Sequence, residues 1–192
     1  GTLIGSNLFI TAGHCIDDHT TSEYVVMNFE REPSSSTLRT EKPYRILKVL
    51  ERNRVGFKGT VDYAILQLEG SPGLAWGTAR IAKADPPKGS GLVLISHPDG
   101  DPKKIVGGSV TGYGNYSIRY SNLDTLGGSS GGGLISTSSG ELVGVHTNGG
   151  CGGVVDDYNY GMRISVVRSV STIVAADCLF NWAEANYATA LN

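Results

Sequence analysis

Apolar residues along this chain come in short bursts separated by glycine, proline, serine and asparagine, and the bursts are too short for helices. In the first half the pattern predicts two strands within residues 2–10, around the turn Gly5-Ser6-Asn7, and further strands over 24–29, 44–50 and 61–68. The second half repeats the pattern at 91–96, 104–113, 117–121, 134–137, 142–146 and 161–167. Residues 30–43 and 97–102 are polar or proline-bearing and read as loops. One stretch alone has helical spacing, residues 170–185, where Ile173, Val174 and Phe180 recur on one side and Ser171 or Thr172 can cap the start. Many short strands with turn signals and one terminal helix predict an all-β barrel or sandwich.

Composition narrows the picture. The chain has 192 residues and 40% hydrophobic content, enough for one substantial core or two small lobes. A formal net charge of -2 gives no electrostatic case for nucleic acid or an anionic membrane as partner. No apolar run approaches the length of a membrane span. The 27 glycines are about twice the ordinary share and mark a turn-rich chain. Cys15, Cys151 and Cys178 have no zinc spacing; one disulfide, with Cys151–Cys178 the favoured pair, or none, are the open alternatives. The opening at Gly1, with neither methionine nor a signal peptide, reads as a mature, processed or truncated chain.

The densest glycine cluster is Gly127-Gly128-Ser129-Ser130-Gly131-Gly132-Gly133, which runs into the apolar pair Leu134-Ile135. Glycine is costly to order, so such a run belongs where backbone turns sharply or approaches something closely. Here a serine hydroxyl stands in its middle. His14 lies among small residues, with room for approach, and Asp62 opens a hydrophobic run where a carboxylate needs donors. Acyl transfer needs a nucleophile, a base near neutral pKa, an acid to orient that base, and two donors for an oxyanion. Ser130, His14 and Asp62 fit the first three roles, and the backbone N–H groups of Gly128 and Ser130 fit the last. The chain order His, Asp, Ser separates this set from other folds that carry the same triad. No dinucleotide fingerprint, P-loop or HExxH motif is present, so neither a cofactor nor a metal is expected. Asp17, Asp18 and the pair Asp156-Asp157 read as solvated acids rather than a calcium site, and His97 as a structural or exposed ring.

Three boxes carry a family resemblance: Thr11-Ala12-Gly13-His14-Cys15, Asp62-Tyr63-Ala64-Ile65-Leu66 and Gly128-Ser129-Ser130-Gly131-Gly132. In this order the chain resembles the trypsin/chymotrypsin-fold serine endopeptidases over nearly its whole length. The resemblance implies two six-stranded antiparallel β-barrels with the reacting groups between them and a C-terminal helix. It implies an N-terminal barrel over 1–86, its first strand missing, with His14 and Asp62. A C-terminal barrel over 87–168 would carry Ser130, and 169–192 a helix and tail. It also implies secretion, a monomer, and a protein or peptide substrate bound extended in the cleft.

Within that fold the chain looks most similar to the bacterial glutamyl endopeptidases, through Asp124-Thr125, His97-Pro98-Asp99-Gly100 and Gly144-Val145-His146-Thr147-Asn148-Gly149-Gly150. That resemblance implies that Thr125 and His146 grip an acidic P1 side chain, while Thr147, Asn148 and Gly149 pair with the substrate backbone. The alternative places P1 recognition on Asp124, six residues before Ser130, as in enzymes that cut after Lys or Arg. A further alternative is a narrow-target or inactive binding or toxin-like protein on the same fold. Two departures stand out. Gly133 occupies a place where proline is usual, and Ser129 replaces the acid that pairs with a freed N-terminal amine in trypsin-like members, so activation by that ion pair is not expected.

Overall fold

A computed structural model describes residues 1–54, 61–150 and 158–175. Its first sheet contains β1 (Thr2–Leu3), β2 (Leu8–Thr11), β3 (Tyr24–Met27), β4 (Lys42–Arg54) and β5 (Asp62–Leu68), in the spatial order β1-β2-β5-β4-β3. All of its pairings are antiparallel. A single helical turn and a half, α1 (Pro72–Trp76), starts the connection to the second sheet. That sheet is a closed barrel of β6 (Gly91–Ser96), β7 (Lys104–Tyr113), β8 (Ser117–Ser121), β9 (Gly133–Ser136), β10 (Leu142–Asn148) and β11 (Asn159–Arg163), ordered β10-β11-β8-β7-β6-β9. A short helix, α2 (Ile164–Val170), follows at once.

The central strands β2 and β5 explain the apolar runs that open the chain and follow Asp62. Leu8 and Ile10, with Tyr63 and Ile65, pack into the cluster shared with Leu92, Leu94, Ile118 and Leu134 of the barrel. The intervening residues Phe9, Ala64, Leu66 and Leu68 face the other way, into a separate cluster with Leu3, Ile16 and Ile46. Strands buried on both faces read as continuous rather than alternating hydrophobic sequence. These strands are therefore the wall between two cores, and residues at their ends lie where the two sheets meet.

Two expectations are corrected. Among the described residues the first sheet is open and five-stranded rather than a six-stranded barrel. The hydrophobic pattern itself supplies five strands there; the sixth came with the family resemblance. The outer strand β3 alternates between exposed and half-buried positions and, among the described residues, pairs only with β4, so none of them closes the sheet across it. The last expected strand, 161–167, is divided: it ends at Arg163, and Ile164 and Val167 bury one face of α2 instead. After α2, the Ser171 hydroxyl accepts hydrogen bonds from the N–H groups of Ile173 and Val174, at 3.1 and 2.9 Å, which is the pattern of an N-cap. Most of the expected helix over 170–185, and the favoured disulfide partners Cys151 and Cys178, lie outside the described residues; Cys15 is an exposed free thiol.

Candidate active site

Strand β2 ends at Thr11, and the chain turns through one 3-10 turn, Gly13–Cys15. Gly13 is required there by close approach: a Cβ on it would stand 2.1 Å from the Asn53 carbonyl oxygen and 2.8 Å from that of Tyr63. The Arg52 guanidinium donates to the Gly13 carbonyl at 3.3 Å and ties the turn to β4. Out of this turn, His14 meets Asp62 at the start of β5 twice. Its backbone N–H donates to one carboxylate oxygen at 2.9 Å, and its ring Nδ1 lies 2.7 Å from the other. A carboxylate only accepts, so Nδ1 carries the hydrogen, and in the neutral ring Nε2 then has a lone pair that can accept a proton.

The serine loop is folded by its own backbone. Ser129 N–H donates to Leu126 C=O at 3.1 Å and Gly132 N–H to Ser129 C=O at 3.0 Å. Gly131 N–H then donates to His146 C=O, and His146 N–H to Gly132 C=O, both at 2.8 Å, which fastens the loop to β10. Gly128 and Gly131 have φ of +83° and +88°, values that side chains rarely adopt. A Cβ on Gly131 would stand 2.2 Å from the Thr11 hydroxyl, so the loop lies directly on the end of β2, three residues before His14. Ser130 and His14 make no hydrogen bond to each other; the Ser130 hydroxyl donates to Thr147 C=O at 3.3 Å. Such pairs are often loose before substrate arrives.

The N–H groups of Gly128 and Ser130 donate to no acceptor among the described residues, whereas those of Ser129 and Gly131 do. Asp99 N–H donates to Gly127 C=O at 2.6 Å. That carbonyl belongs to the same peptide plane as the Gly128 N–H, and in a trans peptide the two point in opposite directions. Holding the carbonyl therefore aims the N–H. Ser129, buried, accepts the Leu126 N–H on its hydroxyl at 3.4 Å, so the residue that departs from the usual acid closes the loop locally.

The other expected site residues are partly gathered. His146 is buried on β10, with its Nδ1 hydrogen-bonded to the hydroxyl of Tyr120 on β8, which also reaches Tyr160 C=O at 3.2 Å. Burial, and secondarily the charge of nearby His14, lower the His146 pKa to about 4. The Thr125 hydroxyl donates to the Asn159 side-chain oxygen at 3.1 Å, and Gly150 N–H to the same oxygen at 3.2 Å. Gly149 packs against Thr125, and Asn148 lies beyond a register shift in β10. Thr147 is buried, its hydroxyl directed to Tyr160 C=O at 3.4 Å. Asp124 is exposed. His97 is half-buried, its ring stacked on Phe29 with centroids 5.5 Å apart. Sequence reasoning missed Tyr120 and Asn159. Tyr120 had a signal, since it alternates with Ile118 on the inward face of β8, whereas Asn159 looks like an ordinary polar residue at a strand start. Among the described residues no cluster of His, Cys, Asp and Glu could hold a metal ion, and no helix is long and apolar enough to cross a membrane.

A family model for the trypsin-like peptidase domain matches residues 1–145. A curated relative, Secreted RxLR effector protein 73 of Plasmopara viticola, is 27% identical over 166 residues, covering 79% of this chain; the chain spans only 41% of that protein. Among solved structures, a Glu endopeptidase in complex with MPD is similar with a TM-score of 0.68 at 21% identity, over 96% of this chain and 84% of that one. Human heparin binding protein is similar at TM-score 0.68 and 17% identity, over 87% and 81%. A protease from M. tuberculosis in its active form is similar at 0.62 and 16%, over 91% and 72%.

Proposed function

The chain belongs to the trypsin-like peptidase family, and from that premise we propose that it is a secreted serine endopeptidase cutting after Glu, with Asp tolerated. The observation that carries the reading is the double contact of Asp62 with His14, at 2.9 and 2.7 Å, beside a glycine-turned loop that presents Ser130. An extended peptide lies between the two sheets, along Thr147, Asn148 and Gly149. Its arrival draws the Ser130 hydroxyl away from Thr147 C=O and toward His14. As Ser130 Oγ attacks the carbonyl after P1, His14 Nε2 takes its proton, and Asp62 holds the ring in the tautomer that can do so. The carbonyl oxygen becomes an oxyanion between the Gly128 and Ser130 amides. His14 returns the proton to the leaving amine, and water then releases the acyl group by the same path. Two such donors together are worth several kcal/mol in the transition state, as an order of magnitude (~3 kcal/mol each).

For P1 recognition, the buried imidazole of His146 and the hydroxyl of Thr125 are the donors that suit a carboxylate. The exposure of Asp124 weighs against a buried acid for Lys or Arg. Secretion is supported by the Plasmopara relative, a secreted effector protein. A peptide library digested near pH 8, beside Ser130→Ala, tests the proposal. Cuts after Glu that disappear in the variant are expected. Cuts after Lys or Arg would move P1 recognition to Asp124, and cleavage surviving in the variant would overturn the triad.

A further inference from the structure

The turn whose Asp99 N–H holds Gly127 is itself held, and from outside its own barrel. The loop between β3 and β4 folds back on itself, with Arg39 N–H donating to Glu30 C=O at 2.9 Å. It begins at Asn28, whose φ of +66° swings the chain so that Phe29 and Glu30 face the barrel. Three contacts then cross between the sheets. Phe29 lies against His97 with the ring planes 18° apart. Phe29 C=O accepts Lys103 N–H at 2.9 Å. The Lys103 ammonium donates to one Glu30 carboxylate oxygen at 2.7 Å, while Arg39 donates to the other at 3.0 Å. Both oxygens of Glu30 are thus occupied, one by its own loop and one by the barrel.

His97 and Lys103 bracket the turn on either side. His97 Nδ1 lies 3.1 Å from Asp101 C=O; a carbonyl only accepts, so Nδ1 carries the hydrogen and staples the turn closed. The His97 carbonyl, in turn, lies 3.0 Å from where a Cβ on Gly128 would stand. A half-exposed ion pair of this kind adds little to global stability. Its geometric effect is larger, because it ends at the peptide plane that carries the Gly128 N–H.

We propose that Phe29 and Glu30 are positioning residues for catalysis: through His97 and Lys103 they hold the turn His97–Asp101, and the turn holds the Gly127–Gly128 peptide with its N–H toward the reacting carbonyl. The inference rests on the oxyanion role proposed above for Gly128. Releasing the clip frees that peptide to rotate, which weakens the transition state without changing the substrate pocket.

The test uses the full chain and its best library substrate, with active sites titrated by a fluorophosphonate. Glu30→Gln, Lys103→Met and Phe29→Leu are compared with Lys83→Met, an exposed control. Complete loss of an oxyanion donor costs about 100-fold or more, so a loosened one should lower kcat per titrated site about tenfold. Affinity for a matching peptide boronate, which places a tetrahedral oxygen in the same position, should fall in parallel, with KM and Tm near those of the control. The double variant Glu30→Gln/Lys103→Met should be no worse than either single change. Unchanged kcat per site in the clip variants, or a loss that merely follows Tm and the titrated fraction, would overturn the clip alone. A wild-type chain that neither takes the label nor cleaves would overturn the oxyanion reading and the clip with it.

Discussion

Replacing Tyr120 by phenylalanine removes one oxygen from a fully buried position and leaves the ring in place. Its hydroxyl has a single hydrogen and two acceptors within reach, His146 Nδ1 and Tyr160 C=O. The state of His146 decides between them. With a pKa of about 4, a proton added to the neutral ring at pH 8 would cost about 5 kcal/mol, at roughly 1.4 kcal/mol per pH unit. In the free protein the ring is therefore neutral and has one N–H to give. To bind a Glu carboxylate that hydrogen must sit on Nε2, so the Tyr120 hydroxyl must donate to Nδ1. Tyr160 C=O is then served by the Thr147 hydroxyl. In Tyr120→Phe the buried Nδ1 loses its donor, a loss of about 1–3 kcal/mol. That corresponds to a fall of roughly five- to hundredfold in kcat/KM for a P1-Glu peptide. A P1-Gln peptide can donate as well as accept, so it should lose much less. The assay is the Glu/Gln ratio of kcat/KM at pH 8, with Tm as the check on folding. An unchanged ratio would refute the tautomer argument.

Other outcomes follow from the same geometry. Ser130→Ala should lower kcat by about four orders of magnitude or more, with an unchanged circular dichroism spectrum and no fluorophosphonate labelling. Gly13→Ala, forced against the Asn53 and Tyr63 carbonyls, should cost about 1–3 kcal/mol of stability by urea denaturation and displace His14, so that activity falls further than the folded fraction does. Stability should also report on His146. Its folded pKa of about 4 lies below the ordinary histidine value, so between the two the unfolded chain binds a proton that the native one refuses. Stability is then full above about pH 6.5 and declines toward pH 4 by about 3 kcal/mol from this group. Urea titrations across that range should show a shallower decline in His146→Gln. Glu30 acts in the same direction at lower pH: the hydrogen bond from Lys103 holds its carboxyl below the usual range, so its contribution is lost as pH falls below the ordinary glutamate value, and the clip should persist to lower pH than an ordinary glutamate would allow.

The triad candidates were legible because each sits in a short segment whose local composition is dictated by its own geometry. Gly13 precedes His14 since no Cβ fits between the Asn53 and Tyr63 carbonyls, and glycines flank Ser130 since the loop needs positive φ at 128 and 131. The uninterrupted apolar run after Asp62 likewise announced a strand, and the packing of both its faces explains why the run does not alternate. What the chain could not announce is pairing between distant segments. Tyr120 reaches His146 across 26 residues, and Glu30 reaches Lys103 across 73. The openness of the first sheet is of the same kind, because β3 has the alternation of any edge strand and only its pairing reveals that β4 is its sole neighbour among the described residues. Side-chain periodicity records which face of an element is buried; it carries no record of which other element buries it. For this protein the sequence by itself therefore determined the strand-rich architecture and named the candidate reacting groups. Which buried partner orients His146, and what steadies the loop around Gly128, were decided only when the two sheets packed together.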